Sequence, residues 1–417
     1  MGGRCCEGSR LEVDEEMTLS AISTMTPDDA LAALLKGVRC VECESIALTH
    51  ATGRVLAQSV MTDRPSPAMD VSAMDGFALR FADVSRDALA ISDEISAGEP
   101  AQPLQSDSCA RIATGAPIPL GAELVVPREH VDEAGDSITV HAIRASAARM
   151  GAHIRRRGEN AAEGACVLER GVAIHAPAAA ALAAFGVVSP RVTRKVRIAL
   201  LVTGDEVRTN DDELAPWCVR DSNGPSVTAL FARHAWAAPI VPEHVVDSAA
   251  ALRDALTRAI ELHDLVLVTG GVAVGHRDFV ATVLDELGAQ THFHGVAQRP
   301  GRPLLAATLR ERRILCLPGN PVSVMTTARR YALPLARVVA GFSAAEPMSH
   351  PVSLVEALRD CVPLTRFVPV HISAHGNARA LITRGSGDSA AVASSDGFVE
   401  IPASASGVGP WRFFEWS

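Results

Sequence analysis

The sequence predicts an α/β protein of several domains, in which a central, doubly wound and mostly parallel sheet is flanked by β-rich domains. Three observations lead to this fold class. From about residue 191 to 341, apolar strands alternate with amphipathic helices, which is the pattern of a parallel sheet. On both sides of that segment the strands become short and alternating, with many Gly and Pro breaks. The 417 residues also exceed the roughly 250–300 that one hydrophobic core supports.

Each element of the central sheet domain is predicted by an apolar run or by a helical spacing of apolar residues. The predicted strands, which are almost wholly apolar as expected of strands buried on both faces, are 196–202, 265–268 and 314–317. Apolar residues at i, i+3, i+4, i+7 and i+8 predict a helix over 252–260, preceded by Ser248 as a candidate N-cap. A second helix is predicted over 279–287. This alternation indicates the crossovers of a parallel sheet.

The change of texture along the chain predicts the domain boundaries. In chain order we expect a disordered tail at 1–17, linking segments at 18–60 and 153–190, a β-rich mixed domain at 61–152, the α/β domain at 191–341 and a C-terminal β-barrel-like domain at 342–417. The start of the chain resembles an acylation signal, but Cys6 follows Cys5 where that pattern requires Ser or Thr. A frayed tail is the better interpretation.

Composition excludes several classes of function. A formal net charge of −9 argues against a nucleic-acid binder, which needs a surplus of Lys and Arg. No stretch reaches the roughly 18 uninterrupted apolar residues of a membrane span, so we expect no membrane partner. The nine scattered cysteines indicate a reduced, cytoplasmic chain. Cys40 and Cys43 could serve a redox or metal role, but chance spacing is favoured because no second pair at zinc spacing accompanies them.

The loops that follow the central strands are the first places to look for a ligand, because α/β sheets bind ligands beyond the carboxyl ends of their strands. After the strand at 196–202, Asp205 and Glu206 could hold a metal or the polar groups of a ligand, or simply form a solvated turn. After the strand at 265–268, Gly270, Gly271 and Gly275 could let a phosphate approach the backbone.

Asp278 follows this glycine loop at the start of a predicted helix. There it could hold Mg²⁺ against a bound phosphate. The alternative is a tight turn whose Asp only favours the N-terminus of the helix. These two interpretations are evenly balanced on the residues alone.

A third loop and a pair of arginines suit a tetrahedral oxyanion. In the segment 317–323, Asn320 can cap the following helix while Pro321 occupies its first position. Upstream, Arg299 and Arg302 lie on a stiff Pro-Gly turn, and guanidinium forks match phosphate or molybdate geometry. Two solvated surface arginines are the alternative.

The first β-rich domain contributes compact polar turns at 72–78 and 113–117. Asp75, beside a glycine, fits a metal or general-base role, although a turn-forming Asp-Gly explains it as well. The basic run at 155–157 could pair with acids or face water.

Taken in order over almost the whole chain, these motifs resemble the molybdopterin molybdenumtransferase family, known as MoeA in bacteria and represented by the C-terminal domain of gephyrin. The motifs that carry the resemblance are SAMDGFA at 72–78, ATGAPIP at 113–119, IRRRGE at 154–159, TGDE at 203–206, DSN at 221–223, TGGVAVG at 269–275, PGRP at 300–303, LPGNPVS at 317–323 and GSG at 385–387. No single motif would suffice; their shared order makes the resemblance specific.

The resemblance implies an elongated, multidomain subunit whose central domain is of the molybdopterin-binding type. It implies Mg²⁺-assisted cleavage of adenylylated molybdopterin, coupled to insertion of molybdate at the dithiolene and release of AMP. The expected partners are therefore adenylylated molybdopterin, molybdate and a second copy in a homodimer. The molybdopterin adenylyltransferase and recipient molybdoenzymes are further candidates. Mg²⁺ is the expected cofactor.

The resemblance also implies roles for individual residues. The residues expected to act in catalysis are Asp75, Thr114, Glu206 and Asp278. Those expected to bind the pterin substrate are Gly270, Gly271, Gly275, Asp221, Asn223, Gly319 and Asn320. Those expected to bind molybdate are Arg299, Arg302, Ser323 and Ser386, and those expected to hold the metal are Asp278 and Asp205. In the implied homodimer, Asp75 and Thr114 of one subunit face the central domain of the other.

The sequence departs from the family's pattern at several of these sites. Arg299 and Arg302 replace usual lysines, which keeps the charge and adds planar forks. The other departures are Asn160 and Ser248 for usual acids, Ala273 for a usual Ser, Gly295 for a frequent Lys, and Pro369 for a typical Arg. The oxyanion site is therefore remodelled, and Arg366 is close enough in sequence to replace some of the lost charge.

Three functions follow for testing. The first is an active molybdenum insertase, and the second is a catalytically impaired paralogue that binds molybdopterin or acts as a scaffold, as the departures suggest. The third is adenylylation by the central domain itself, which the flanking domains disfavour. The sequence does not distinguish molybdate from tungstate, because both are tetrahedral oxyanions of nearly equal size.

Overall fold

The computed structural model describes residues 24–208, 214–272, 279–346 and 349–416. The chain forms two compact units. The first contains the described residues of Met1–Ala57, Gly171–His175 and Arg191–Ser417, and the second consists of Gln58–Arg170 and Ala176–Pro190. In the described part of the chain, no helix combines the length and apolar character needed to cross a membrane.

A six-stranded, mostly parallel sheet forms the centre of the first unit. Its strands, in spatial order, are Pro242–Val245, Ile198–Thr203, Leu265–Thr269, Arg312–Leu317, Leu305–Leu309 and Gln290–His294. The first four strands are parallel, whereas the fifth runs antiparallel to both of its neighbours. This arrangement confirms the predicted mostly parallel sheet.

Both faces of this sheet are covered, as a doubly wound fold requires. Along the strand Ile198–Thr203, Ile198 and Leu200 pack into one hydrophobic cluster, while Ala199 and Leu201 pack into another on the opposite face. This alternation follows from the two-residue period of a strand. A strand buried on both faces must be apolar throughout, which is why the continuous apolar runs identified these strands correctly.

The helices of the first unit cover these two faces and the C-terminal region. They are Pro27–Leu35, Asn223–Ala232, Ala249–Leu262, Phe279–Glu286, Pro321–Thr327, Leu333–Val339 and Ser389–Val392. A π-helical turn, Ala328–Ala332, joins two of them into one continuous helix. Ser248 occupies the predicted N-cap position, but its side chain makes no capping hydrogen bond; its carbonyl accepts from the N–H of Leu252 instead.

A second, five-stranded sheet of the first unit includes a strand contributed by a loop of the central domain. Its strands are Gln298–Arg299, Thr365–Ile372, Ala378–Ala380, Gly397–Ile401 and Arg412–Glu415. Gln298–Arg299 pairs in parallel with the start of Thr365–Ile372, which places Arg299 opposite Arg366. The same unit contains the short pairs Cys43–Ser45 with Arg191–Thr193 and Val207–Arg208 with Val219–Arg220, and a 3-10 turn at Leu48–His50.

The second unit is built on a mixed six-stranded sheet. Its strands, in spatial order, are Leu124–Pro127, Gly76–Leu79, Ser108–Ile112, Leu89–Ile95, Ser137–Val140 and Val131–Ala134. Shorter elements are the strand pairs Val71–Ser72 with Ile154–Arg155 and Val60–Met61 with Cys166–Leu168, the helices Ala142–Ala147 and Ala176–Ala184, and the 3-10 turns Phe81–Asp83 and Arg128–His130. Within the basic run, Arg156 pairs with Asp70 at 2.6 Å.

Candidate active site

A cleft of about 1460 Å³ lies in the first unit, where the loops beyond the carboxyl ends of the central strands meet the C-terminal sheet. The predicted site residues among those that line it are Glu206, Asp221, Asn223, Gly270, Gly271, Arg299, Arg302, Gly319, Asn320, Ser323 and Ser386. The structure therefore brings together three loops and an arginine turn that are far apart in the sequence. Gly275 and Asp278 lie outside the described residues.

Two positions in the loop after the strand Leu265–Thr269, Gly270 and Gly271, accept only glycine. Gly270 has φ +89°, and a Cβ there would lie 2.7 Å from Thr203 Oγ1. Gly271 has φ +65°, and a Cβ there would lie 2.9 Å from a methyl group of Val280. Left-handed backbone and close packing both exclude a side chain. The cleft wall is therefore bare backbone here, which suits the approach of a phosphate.

The loop 317–323 is connected to two other parts of the cleft by side-chain amides. Asn320 stands at the N-cap of the helix Pro321–Thr327, but its side chain makes no capping bond, so this part of the prediction is wrong. Its Nδ2 donates to Ser386 Oγ at 2.7 Å, and the N–H of Val322 donates to the Ser386 carbonyl at 3.0 Å. Asn223 Nδ2 donates to the Gly319 carbonyl at 2.8 Å. These bonds fix the position of Ser386 at the N-terminus of this helix.

The arginine turn presents positive charge to the cleft. Arg299 and Arg302 are exposed, and neither forms an ion pair with a carboxylate anywhere in the described ranges. Arg366, the strand partner of Arg299, also lines the cleft, and its Nε is buried without a hydrogen-bond partner in the described structure. Guanidinium groups without a carboxylate partner in a concave site favour the binding of oxyanions.

Two further cleft residues were not predicted from the sequence. Arg220 and Arg384 line the cleft, and so does Pro369, one of the departures from the family pattern. Arg384 directly precedes the GSG motif and Arg220 directly precedes the DSN motif. Proximity to a motif is the signal that could have identified them.

Carboxylates at the rim of the cleft mostly organise the backbone. Asp221 accepts from the N–H of Gly224 at 2.9 Å and lies 3.1 Å from His244 Nε2, so both of its oxygens are engaged. Asp205 does not line the cleft; its Oδ1 accepts from the N–H of Asp247 at 3.0 Å, and the N–H of Asp205 donates back to Asp247. Glu206 lines the cleft.

The residues that the structure describes contain no group of three or more metal-ligating side chains. Mg²⁺ commonly takes only one or two carboxylates, with water and phosphate oxygens completing the shell. The donor chemistry of Glu206, on the wall of the cleft that holds the glycine loop, fits that pattern.

Asp75 and Thr114 form a preorganised pair in the second unit. The backbone N–H and the Oγ1 of Thr114 each donate to Asp75 Oδ1 at 2.7 Å. These hydrogen bonds, the side-chain one foremost, hold the pKa of Asp75 below its usual range. The carboxylate is therefore ionised at neutral pH. The turns are held together by the N–H of Gly115, which donates to the Ser72 carbonyl at 2.8 Å.

The fold and the cleft define a multidomain α/β protein with a cationic ligand site at the carboxyl edge of its central sheet. Two family models match the chain: the MoeA N-terminal region (domain I and II) over residues 25–186, and a probable molybdopterin binding domain over residues 199–337. The chain is 34% identical over 312 residues to the molybdopterin molybdenumtransferase of Nostoc sp., covering 72% of this chain and 70% of that protein. It is 30% identical over 399 residues to that of Staphylococcus epidermidis, covering 93% of each. The chain belongs to the molybdopterin molybdenumtransferase family.

Solved structures show the same fold. A molybdopterin biosynthesis MoeA protein from Pyrococcus horikoshii superposes with a TM-score of 0.79 at 23% identity, covering 94% of this chain and 99% of that one. Another structure, also of a molybdopterin biosynthesis MoeA protein from Pyrococcus horikoshii, gives a TM-score of 0.77 at 24% identity, with the same coverage. These findings confirm the resemblance, the predicted fold class and the classification of the chain as a transferase, with a role in molybdenum cofactor biosynthesis.

Proposed function

We propose that the protein is a molybdenum insertase, which binds adenylylated molybdopterin and molybdate in the cleft and releases AMP and the finished cofactor. One observation carries the proposal: a bare glycine-loop backbone and arginines without carboxylate partners line the same cleft. The reaction requires two anions to be held side by side. The glycine-loop backbone and the arginines provide two chemically distinct anion sites for them. Electrostatic preorganisation of this kind stabilises charge without reorganisation during the reaction.

In this proposal the pterin substrate lies along the glycine loop and the loop 317–323. Gly270 and Gly271 admit a phosphate close to the backbone, and Asn223 fixes the Gly319 carbonyl. Gly275, Asp221 and Asn320 belong to the same proposed substrate site. Asp221 acts there by holding the start of the helix Asn223–Ala232 through the N–H of Gly224.

Molybdate lies beside the arginine turn. Arg299 and Arg302 provide guanidinium forks, Ser323 is buried at the start of its helix, and Ser386 is held by Asn320. Arg366 lines the same cleft, and in this proposal it replaces charge that Pro369 and Gly295 do not provide. The two dithiolene thiols displace one oxo group of molybdate, which leaves as water, and another water hydrolyses the phosphoanhydride, which releases AMP and leaves a phosphate on the pterin.

Magnesium completes the proposed phosphate site. Glu206 is the ligand that the described structure offers on the cleft wall, and Asp278 and Asp205 are the ligands proposed from the sequence. When bound, the ion would neutralise charge on the phosphoryl oxygens during cleavage. The chain's own part is to present a carboxylate beside the glycine loop.

We further propose a cytoplasmic homodimer in which Asp75 and Thr114 of one subunit act on substrate in the cleft of the other. The fixed, ionised carboxylate of Asp75 supports a role that needs a defined geometry. The molybdopterin adenylyltransferase and recipient molybdoenzymes are the proposed protein partners, because they supply the substrate and use the product.

The decisive experiment measures AMP release from adenylylated molybdopterin with Mg²⁺ and molybdate. The wild type should release AMP, and Arg302→Ala should lower the rate at subsaturating molybdate by about tenfold or more, the scale of a lost charged hydrogen bond. Arg359→Ala is the matched control, because Arg359 is also exposed but does not line the cleft. Absence of AMP release from a folded dimer would refute the insertase.

A second candidate is a catalytically impaired paralogue that binds molybdopterin or serves as a scaffold. The observation that favours it is Pro369, a residue without charge, on the wall of the oxyanion site. The same assay separates the two functions. Substrate binding without AMP release supports the paralogue.

A further inference from the structure

The arginine turn is held from behind by a chain of buried hydrogen bonds. The side chain of Gln298, which is 1% exposed, donates from Nε2 to the carbonyl of Gly301 at 2.8 Å. Its Oε1 accepts from the hydroxyl of Tyr331, whose side chain is fully buried. Both polar ends of the Gln298 amide are thus satisfied, one by the turn and one by the helix. Arg299 and Arg302 flank Gly301 on this same turn.

Packing against the helix that leads to Tyr331 also fixes the arginine turn. Gly301 has φ +86°, and a Cβ there would lie 2.5 Å from the Thr327 methyl group. Thr327 also donates from Oγ1 to the Ser323 carbonyl at 2.6 Å. One short stretch of helix therefore contacts the arginine turn and the segment that carries Ser323.

Tyr331 lies in the π-helical turn Ala328–Ala332, an uncommon element that tends to occur at functional sites. Its neighbour Arg330 is fully buried and binds Glu400 Oε2 at 2.6 Å, which connects the turn to the strand Gly397–Ile401. Burial raises the pKa of Tyr331, so its hydroxyl is protonated and acts as the donor. The π-helical turn, which is itself bound to the strand Gly397–Ile401, thus supports the arginine turn through Tyr331 and Gln298.

We propose that Tyr331 and Gln298 are positioning residues that set the separation and direction of Arg299 and Arg302, and thereby the affinity of the cleft for a tetrahedral oxyanion. This proposal rests on the proposed function, because it takes the arginine turn to be the molybdate site. Neither side chain touches the anion; each acts through the backbone of the turn. A 1 Å displacement of a guanidinium fork is enough to weaken a bidentate contact strongly.

The test compares Tyr331→Phe with Thr193→Val. Each removes one buried hydroxyl that donates in the first unit; Thr193 donates to the Ala340 carbonyl at 2.7 Å, away from the arginine turn. Titration calorimetry with inorganic molybdate should show a Kd about tenfold higher for Tyr331→Phe and an unchanged Kd for Thr193→Val. Hydrogen exchange of the non-proline amides within 299–304 should be faster only in Tyr331→Phe.

A double-mutant cycle tests the chain of contacts. Gln298→Leu should raise the Kd for molybdate at least as much as Tyr331→Phe, and the double variant should be no worse than Gln298→Leu, because the two residues act in series. In the AMP assay the KM for molybdate should rise while kcat changes little. A Kd for Tyr331→Phe within roughly twofold of the wild type would overturn the proposal.

The failure of this proposal is distinguishable from failure of the insertase. If the wild type releases no AMP but Tyr331→Phe still weakens molybdate binding and exposes the 299–304 amides, the positioning role stands and the insertase falls. If AMP is released and both variants lose the same thermal stability without a change in molybdate affinity, Tyr331 is merely structural and the positioning role falls.

Discussion

Asp264 is a buried carboxylate surrounded by arginines at the start of the strand Leu265–Thr269. Arg194 binds both of its oxygens, at 2.6 and 2.7 Å, and the N–H of Arg197 donates to Oδ2 at 2.9 Å. Burial alone would raise the pKa of Asp264, but the bonds from Arg194 and Arg197 outweigh it and hold the pKa below its ordinary value. A charge without these partners would be expensive to bury there.

We predict that Asp264→Asn lowers the free energy of unfolding by about 3 kcal/mol at pH 7, the scale of breaking a buried ion pair. Because the pKa is lowered in the folded state, the stabilisation is fully present above the unfolded value of about 4 and is lost as the pH falls through the folded value. Urea unfolding at several pH values should therefore show the difference between wild type and variant shrinking on acidification.

The control for this prediction is Asp285→Asn. Asp285 is exposed on the helix Phe279–Glu286 and should change stability by less than about 0.5 kcal/mol. An Asp264→Asn gap that is constant from neutral to acidic pH would contradict the linkage argument.

At the residue scale, residue type indicated several of the side chains that line the cleft but not their hydrogen-bond partners. Residue type alone marked Arg299, Arg302 and Asp75 as candidates, and Arg299 and Arg302 line the cleft. The bond from Asn320 to Ser386 spans 66 positions, and capping preference, which acts over three residues, favoured a local partner instead. Long-range pairing of this kind depends on the tertiary fold.

At the scale of elements, the strand Leu265–Thr269 and the two glycines that follow it form the proposed phosphate site. We predict that Gly270→Ala weakens AMP binding by about tenfold, because a Cβ would collide with Thr203 and push the loop from its position. Titration calorimetry with AMP measures this effect. Stability should also fall, by about 1–3 kcal/mol, because alanine disfavours positive φ.

Gly288→Ala separates the two contributions. Gly288 has a similar φ of +74°, but a Cβ there meets nothing within 4 Å. This variant should lose about 1 kcal/mol of stability and bind AMP like the wild type. If both variants bind AMP normally, the loop does not hold the phosphate.

Prediction of elements succeeded where burial on both faces made a strand apolar and where helical spacing was clear, and it missed the edge strands of the central sheet. The continuous apolar runs identified three of the central strands to within two residues of their ends. The edge strand Pro242–Val245 was not predicted, because its Glu and His face outward and break the apolar run. Gln290–His294, at the other edge, is polar for the same reason.

At the scale of the whole molecule, the proposed homodimer predicts complementation between two impaired variants, measured at subsaturating molybdate. Asp75→Asn and Arg302→Ala each damage one half of a site that two subunits share. Random reassociation of an equimolar mixture should produce heterodimers with one intact cleft and restore about a quarter of wild-type AMP release. Each variant alone should stay well below that level, which is the internal control.

Failure to restore activity after verified subunit exchange would mean that both residues act in one subunit or that Asp75 acts elsewhere. Exchange is verified by mixing differently tagged chains.

The strand Gln298–Arg299 completes the C-terminal sheet although it belongs to a loop of the central domain. A chain exchange at 341, the boundary predicted from the sequence, would therefore separate this strand from the rest of its sheet. A chimera that took its last 76 residues from a relative would need a matching pair of residues at 298–299 to dock its first long strand. A substitution in the first long strand of the carboxyl-terminal sheet would therefore be felt directly by the backbone that carries Arg299.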